Sequence, residues 1–170
     1  MRKKNIMLRR HLLKFFAAGL AMVATQAAQA RDIVPLAGYN YSPGSIVIST
    51  SSRALYYVLG NGQAIRYPVG VGKAGMAWHG NAFVALKRLS PAWSMPPEFG
   101  GGPVIPGGSP RNPMGAAVLG LNAGNYAIHG TNDPSSIGGY VSHGCIRMHN
   151  ADILDLYNRV PLGANVHVTN

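Results

Sequence analysis

The sequence predicts a mainly β domain with one helix near its C-terminus. Short runs rich in β-branched and aromatic residues recur along the chain, and Gly, Pro and Asn turn signals separate them. A single stretch close to the end has helical periodicity instead. Once a leader of about thirty residues is set aside, roughly 140 of the 170 residues remain, which suffices for one ordinary domain with its own core.

Residues 1–30 are predicted to be a cleaved signal peptide. Basic residues precede an apolar run over 15–24, which at about ten residues is too short to span a bilayer. Ala28-Gln29-Ala30 then gives the small-x-small pattern of a cleavage site, so we expect the mature chain to begin at Arg31, without a stable membrane anchor. The expected location is periplasmic. A retained anchor is the alternative, and the paired arginines at 9–10 resemble a twin-arginine export signal.

The charge of the chain gives little support to nucleic acid binding. Its formal charge is +10, from 15 Lys and Arg against five Asp and Glu. Six of the basic residues lie in the predicted leader, so the mature chain keeps nine and has a charge of about +4. These nine are scattered and form no basic run, so no nucleic acid partner is expected. A mild positive charge suits work on an anionic envelope polymer.

The first half of the mature chain predicts a sheet built from hairpins. Residues 31–43 are interpreted as a tether, and residues 44–170 as the folded domain. Asn61-Gly62 is the strongest short hairpin signal in the chain, because both turn positions require positive φ. The strands predicted here cover residues 45–49, 54–59, 64–71 and 82–89.

A long loop, residues 94–115, separates the two halves. Ten of the sixteen residues from Gly100 to Gly115 are Gly or Pro, which excludes a regular element. Loops of this length in a compact domain are usually functional or disordered. We expect this one to lie beside an active cleft, because long ordered loops on rigid scaffolds tend to carry function.

The second half predicts two strands, a helix and a final strand. The strands cover residues 116–121, 126–129 and 166–168. The helix is predicted to begin at Asn150, a favourable N-cap, and to stop at Pro161. Asp152 suits its first turn. The apolar face predicted for this helix consists of Ile153, Leu154, Tyr157 and Val160.

Cys145 is the first residue that needs an explanation. It is the single cysteine of a chain predicted to be exported, and structural cysteines in an oxidising compartment come in pairs. An inert buried thiol is the alternative, since free cysteine packs as a small hydrophobe. Its polar flanks, Ser-His-Gly before it and Ile-Arg after it, argue against an apolar pocket. Cys145 is therefore a candidate nucleophile.

Three histidines accompany Cys145 within the 23 residues from Ile128 to Asn150. A free thiol is little ionised at neutral pH, so nucleophilic catalysis requires a neighbouring base. Both His129 and His143 are candidates, and spacing alone leaves the choice open. The Gly130 carbonyl could orient the His129 ring as the third member of a triad. Gly144 permits a tight turn, and the N–H groups of Gly144 and Cys145 could form an oxyanion hole.

The segments around these residues resemble the L,D-transpeptidase catalytic domain. His129-Gly130-Thr131, followed by S-H-G-C-I-R-M over residues 142–148, closely resembles the family's signature. One departure is M-A-W-H-G over residues 76–80, where many members have a T-P-x-G turn. Further matching elements are Gly70-Val71-Gly72-Lys73, Pro91-Ala92-Trp93 and Asn112-Pro113-Met114-Gly115, so the resemblance covers residues 44 to 168.

The resemblance implies a β-sandwich-like catalytic domain that uses Cys145 as nucleophile, His129 as base and the Gly130 carbonyl to orient the base. It implies attack on a peptidoglycan tetrapeptide stem, release of D-alanine, and transfer of the acyl group to an amine on another stem or on an envelope lipoprotein. No cofactor is expected for this chemistry. It also implies that carbapenems, which are strained acyl donors, add to Cys145.

Four further residues are predicted to bind substrate: Arg147, His143, Ser142 and Thr131. A guanidinium fork suits the carboxylates of a stem peptide, although Arg147 could instead pair with an aspartate of the following helix. His143 could equally make a supporting hydrogen bond or pack in the turn. Ser142 and Thr131 could orient the loop instead of donating to substrate, and the sequence does not separate these roles.

Three other functions are compatible with parts of the pattern. His129, His143, Cys145 and His149 could supply zinc ligands, although their spacing matches no common structural zinc site. A non-catalytic wall-binding module is a second alternative, but it would have no need of a nucleophile and a base. An L,D-carboxypeptidase, with water as the acceptor, would use the same catalytic residues.

Overall fold

A computed structural model describes residues 31–36 and 40–170, so the predicted signal peptide lies outside the described residues. In the described part the chain forms eleven strands and one α-helix, which confirms the mainly β class. The elements are β1 (Ile33–Pro35), β2 (Ile46–Ser49), β3 (Ala54–Gly60), β4 (Gln63–Pro68), β5 (Val71–Gly72), β6 (Gly80–Leu89), β7 (Ala117–Leu121), β8 (Ala127–His129), β9 (Tyr140–Ser142), β10 (Ile146–Arg147), α1 (Asn150–Arg159) and β11 (Asn165–Thr169).

Nine of these strands form one sheet, in the order β1-β4-β3-β2-β11-β6-β7-β8-β10, and β5 pairs with β9. The long strand β6 joins the two halves of the sheet, because residues 80–83 pair with β11 and residues 84–89 pair with β7. Its register shifts between Val84 and Leu86, and such a bulge bends a strand. The two halves therefore continue into each other through one bent strand.

Apolar side chains from both halves of the sheet meet in one core. Ile48 and Leu55 contribute from the β2–β3 side, and Leu119 and Ile128 contribute from the β7–β8 side. All four are fully buried. This common core explains the sandwich-like arrangement, since each half of the sheet covers the apolar face of the other.

The predicted hairpin at Asn61-Gly62 is confirmed. β3 and β4 pair in antiparallel orientation, and Asn61 and Gly62 have φ of 51° and 70°. These are the positive values that a tight hairpin turn requires.

The prediction of one continuous strand over residues 64–71 is wrong, because the chain leaves its pairing with β3 before Gly70 and pairs with a different strand after it. β4 ends at Pro68, and Val71 pairs in parallel with β9 instead of continuing beside β3. Gly70 exchanges two backbone hydrogen bonds of 2.9 Å with Arg147. A Cβ at Gly70 would lie 2.7 Å from the Ser136 carbonyl, so only glycine allows this close crossing.

The predicted tether, residues 31–43, also contains a strand that sequence reasoning missed. β1 pairs in antiparallel orientation with β4 at the edge of the sheet, with Ile33 opposite Ile65. Arg31 just before it contacts both Asp152 and Asp155 of α1, at 3.4 Å and 3.5 Å. A three-residue edge strand is too short for its alternation pattern to be recognised.

The helix has the predicted extent but a different buried face. Ile153 and Leu156 are buried on one side of the helix, and Val160, directly after its last residue, is buried too, whereas Leu154 is 37% exposed. Ile153 and Leu156 are three residues apart, which keeps them on one helical face, while Leu154 lies about 100° further round. Among the described residues, no helix is long and apolar enough to cross a membrane.

The N-cap of the helix is His149, whose carbonyl accepts from the Asp152 and Ile153 N–H groups. The prediction that Asn150 caps the helix is therefore wrong. The Asn150 amide instead bonds to Ala116 and Thr131, two residues outside the helix. This tertiary contact competes with the local cap and replaces it.

The long loop over residues 94–115 is held at two points. Trp93, just before the loop, forms an antiparallel bridge with Ile105 in its middle. The side chain of Asn112, which is 1% exposed, donates to the Pro91 carbonyl at 2.8 Å and accepts from the Met114 N–H at 2.9 Å. The loop is therefore an ordered part of the domain.

Candidate active site

His129 ends β8, and the pairing of β8 with β10 brings it next to the segment that contains Cys145. The two strands are parallel, with Ile128 opposite Ile146 and His129 opposite Arg147. Cys145 directly precedes β10, and side chains two positions apart in a strand share a face. Cys145 therefore lies on the face of His129, and its thiol contacts the Ala127 N–H of β8.

The His129 ring is buried and oriented by the backbone. The residue is 5% exposed, and its Nδ1 lies 2.7 Å from the Gly130 carbonyl oxygen. This is the contact that the sequence predicts for Gly130. A proton on Nδ1 makes that hydrogen bond and leaves Nε2 as the basic nitrogen.

The turn that presents Cys145 depends on Gly144. This residue has φ of 120°, a region that only glycine adopts readily, and an added Cβ would overlap the ring of Tyr126. Ser142 fastens the turn from inside, because its Oγ accepts from the Gly144 N–H at 3.0 Å and donates to the Cys145 carbonyl at 2.6 Å. The thiol sulfur lies 3.8 Å from the Asn125 carbonyl oxygen.

Only one of the two predicted oxyanion donors is free. The Gly144 N–H is bonded to Ser142, whereas the Cys145 N–H donates to no group in the part of the chain that the structure describes. An unpaired N–H on the nucleophile's own residue can bind a developing oxyanion. Gly144 therefore contributes to this site by shaping the turn.

Burial favours the neutral form of both central groups. Burial raises the pKa of the Cys145 thiol, and the Ala127 N–H and the Arg147 charge oppose that change only in part. Burial lowers the pKa of His129 to about 4, although the Gly130 and Pro113 carbonyls favour the protonated ring. No hydrogen bond joins the thiol to the His129 ring among residues 31–36 and 40–170. Such contacts often tighten only when substrate binds.

Arg147 is half-buried beside His129, and its charge lowers the pKa of both His129 and Cys145. The aspartates of α1 pair with other arginines: Asp152 with Arg31, and Asp155 with Arg31 and Arg159. Within the described residues the Arg147 guanidinium has no carboxylate partner. The alternative of an Arg147–helix ion pair is therefore not observed.

The other three predicted substrate residues fall into two groups. Ser142 and Thr131 are each 2% exposed, and their hydroxyls bond inside their own turns, Thr131 with the Asp133 backbone. These contacts favour the loop-orienting alternative for both. His143 is exposed, and its ring lies 4.8 Å from the ring of Phe99 in the long loop. The loop therefore reaches the site, as predicted.

Several residues of the site were missed by sequence reasoning. Tyr126 covers Gly144 and stacks on Trp78, with ring centroids 5.1 Å apart. Pro113 faces the His129 ring with its carbonyl, and Asn150 bonds to Thr131. Trp78 lies in the segment that departs from the family pattern, and this departure was the one sequence signal that marked it.

The zinc alternative gains no support from the geometry. In the described ranges, no three His, Cys, Asp or Glu side chains lie close enough together to hold a metal ion. His149 caps the helix with its backbone, and His143 packs on Phe99. The four residues considered as ligands are thus separated by their roles in the fold.

A lone cysteine and a buried, carbonyl-oriented histidine on adjacent segments define a cysteine–histidine site on a mainly β scaffold. The family model of the L,D-transpeptidase catalytic domain matches residues 43–168. The chain belongs to this family.

Curated relatives agree with this assignment. YqjB of Bacillus subtilis is 33% identical over 165 residues, which cover 92% of this chain and 86% of YqjB. YkuD of Bacillus licheniformis is 39% identical over 127 residues, covering 75% of this chain and 66% of YkuD. YbiS of Escherichia coli is 39% identical over 136 residues, covering 72% of this chain but only 43% of YbiS. All three carry the term L,D-transpeptidase in their names.

Solved structures share the fold at low identity. The L,D-transpeptidase of Enterococcus faecium has a TM-score of 0.62 and 16% identity, over 75% of this chain and 50% of that one. L,D-transpeptidase 3 of Mycobacterium tuberculosis has a TM-score of 0.56 and 19% identity, over 74% and 60%. The present chain thus corresponds to part of these longer proteins.

Proposed function

We propose that this protein is a peptidoglycan L,D-transpeptidase that forms an acyl-enzyme on Cys145, with His129 as the base. The observation that carries the proposal is the pairing of β8 with β10. It places the only cysteine of the chain next to a histidine whose Nδ1 is already engaged by the Gly130 carbonyl. Family membership supports the reaction class.

In the first half-reaction, Nε2 of His129 takes the Cys145 proton as the sulfur attacks the carbonyl of the third stem residue. The Cys145 N–H binds the oxyanion that develops on that carbonyl. The amide bond to the terminal D-alanine then breaks, and the imidazolium returns its proton to the leaving amine. A thioester and free D-alanine result.

In the second half-reaction, an acceptor amine attacks the thioester carbonyl and gives its proton to His129. The carbon–sulfur bond breaks, and the thiolate regains the proton from the imidazolium. The products are a new amide and the free enzyme. An amine on a second stem or a lysine of an envelope lipoprotein supplies a suitable acceptor, whereas water in its place would give an L,D-carboxypeptidase.

Arg147 is proposed to bind a carboxylate of the stem peptide. Its guanidinium is half-buried, lies opposite His129 in the sheet and has no carboxylate partner in the part of the chain that the structure describes. An unpaired, partly buried positive charge gains most from an anionic ligand. His143, which is also proposed to contact substrate, is exposed and packs next to Phe99 of the long loop.

Export to the periplasm, with cleavage of residues 1–30, is proposed from the leader pattern alone. This location gives the enzyme access to its polymer. N-terminal sequencing of the protein secreted by its host would show Arg31 as the first residue if cleavage occurs as proposed.

Product analysis tests the proposed reaction. Residues 31–170 would be mixed with purified disaccharide-tetrapeptide, and the products separated by mass spectrometry. A cross-linked dimer that has lost one D-alanine, and that is absent with Cys145→Ala, would establish transpeptidation. Tripeptide alone would make the protein a carboxypeptidase, and unchanged substrate would contradict the proposal.

A further inference from the structure

Asn150 joins three segments of the chain beside the proposed base. Its Oδ1 accepts from the Ala116 N–H at 3.0 Å and the Thr131 N–H at 3.1 Å, and its Nδ2 donates to the Thr131 carbonyl at 3.0 Å. One side chain at the start of α1 therefore fixes both the segment that follows β8 and the segment that leads into β7. It does so from an exposed position, outside the apolar core.

Two glycines are shaped to this contact. An added Cβ on Gly130 would overlap Asn150 Oδ1, and so would one on Gly115. Gly115 also has φ of 64°, which glycine adopts without strain. The backbone at both positions therefore packs directly against the Asn150 amide, and any side chain at either position would displace it.

The peptide group between Gly130 and Thr131 connects Asn150 to the base. Its carbonyl accepts the hydrogen bond from His129 Nδ1 at 2.7 Å, while its N–H donates to Asn150 Oδ1. In a trans peptide these two groups point in opposite directions, so the peptide plane is held from both sides. Donation by the N–H also strengthens the carbonyl as an acceptor, because successive hydrogen bonds polarise one another.

We propose that Asn150 is a positioning residue that acts through the Gly130–Thr131 peptide to keep the His129 proton on Nδ1. This inference rests on the proposed role of His129 as base, since only a ring with an unprotonated Nε2 can take the Cys145 proton. The Pro113 carbonyl also faces the ring and favours its protonated form, so it competes with Gly130 for the ring proton. If the Gly130 carbonyl became a weaker acceptor, the tautomer with the proton on Nδ1 would no longer be favoured over the one with the proton on Nε2.

The test is the tautomer of His129, observed through its ring nitrogens in ¹⁵N-histidine-labelled protein at pH 7.5. The His129 signals are identified by their loss in His129→Ala. The wild type is expected to show Nδ1–H, and Asn150→Ala a mixture with Nε2–H and a kcat about tenfold lower at unchanged KM. Asn150→Asp keeps an oxygen acceptor for both N–H groups and is expected to restore Nδ1–H.

Tyr67→Phe is the matched control, because it removes a different hydrogen bond to α1, that with Asp155 at 2.6 Å. It is expected to lower stability without changing the tautomer. If Asn150→Ala does not fold, Asn150→Ser, which is too short to reach both N–H groups, gives the same readout. An unchanged tautomer in the folded variant would overturn the inference. Full turnover in His129→Ala would instead overturn the base assignment, while the tautomer measurement would still stand.

Discussion

Two regions of the molecule differ in whether their arginines are paired with carboxylates. Around α1, Arg31 and Arg159 are paired with the aspartates of that helix, and Asp155 also accepts from the buried Tyr67 hydroxyl. At the site, Arg147 is half-buried without a carboxylate partner in the described part of the chain. The first arrangement stabilises the fold, and the second leaves charge available for a ligand.

The same contrast holds for the polar groups around these arginines. In the cluster around α1, the Tyr67 hydroxyl and the Arg159 guanidinium both donate hydrogen bonds to the Asp155 carboxylate. The site instead holds a thiol whose pKa is raised by burial and, among residues 31–36 and 40–170, a Cys145 N–H without an acceptor. Groups left unsatisfied in a fold are expected where a substrate supplies the missing partner.

The largest expected effect is the difference in kcat between substitutions of the two histidines of the site. His129→Ala removes the buried base and should lower kcat about 10²- to 10⁴-fold, because the thiol cannot ionise alone. His143→Ala removes an exposed ring that packs on Phe99 and should cost less than about tenfold. Steady-state rates of D-alanine release measure both. The reverse ranking would transfer the role of base to His143.

The buried base should also make the fold sensitive to acid. The pKa of His129 is lowered from 6.5 to about 4 by burial. Between these two pH values, His129 is protonated in the unfolded chain but neutral in the folded chain. Stability from this group is present above pH 6.5 and is lost as the pH falls to about 4, by up to about 3 kcal/mol. Urea unfolding at pH 7 and pH 4 should show a smaller loss in His129→Gln than in the wild type, and equal losses would contradict this.

Arg147→Gln should weaken substrate binding with little effect on stability. A charge-assisted hydrogen bond to a carboxylate contributes about 1.5–3 kcal/mol, so kcat/KM should fall about 10- to 100-fold, mainly through KM. Removing this charge should also raise the pKa of His129, because the charge lowers it in the wild type. The pH profile of kcat/KM measures this. Arg159→Gln, at an exposed paired arginine, is the control and should leave both kinetic constants unchanged.

Asp155→Ala should have the opposite effect, with reduced stability and unchanged kcat and KM. Burial alone would raise the pKa of Asp155, but hydrogen bonds from Arg159 and Tyr67 outweigh it and lower that pKa. The substitution leaves the Tyr67 hydroxyl without its acceptor, which costs about 1–3 kcal/mol. Urea unfolding at pH 7 gives the stability. A large loss of activity would contradict the view that the cluster around α1 serves stability alone.

Much of the fold was predictable from local pattern, and the errors have physical causes. The Asn61-Gly62 hairpin follows from residue type, because few residues tolerate positive φ at two successive positions. The change of partner at Gly70 does not, since it depends on a close approach to Arg147 and Ser136 that no local pattern encodes. The β1 strand was missed because three residues are too few to show alternation, whereas Leu156 was missed because Leu154 and Tyr157 were assigned to the apolar face in its place.

For the site, the sequence predicted residue types better than roles. The parallel register confirms that His129 and Cys145 lie on adjacent segments. The sequence indicates that Asn150 is a helix cap, whereas in the structure its amide bonds across the fold to Thr131. Such contacts couple positions nineteen residues apart, and periodicity carries no information about them. The nucleophile and base assignments stay predictions that rest on chemistry.

Covalent trapping tests the central claim, that Cys145 is the acyl-accepting nucleophile, most directly. A carbapenem is a strained acyl donor and would leave an adduct of its full mass on residues 31–170, detected by intact-protein mass spectrometry. We expect peptide mapping to place that adduct on Cys145, with none formed by Cys145→Ala. No adduct after long incubation, or an adduct on another residue, would contradict the mechanism.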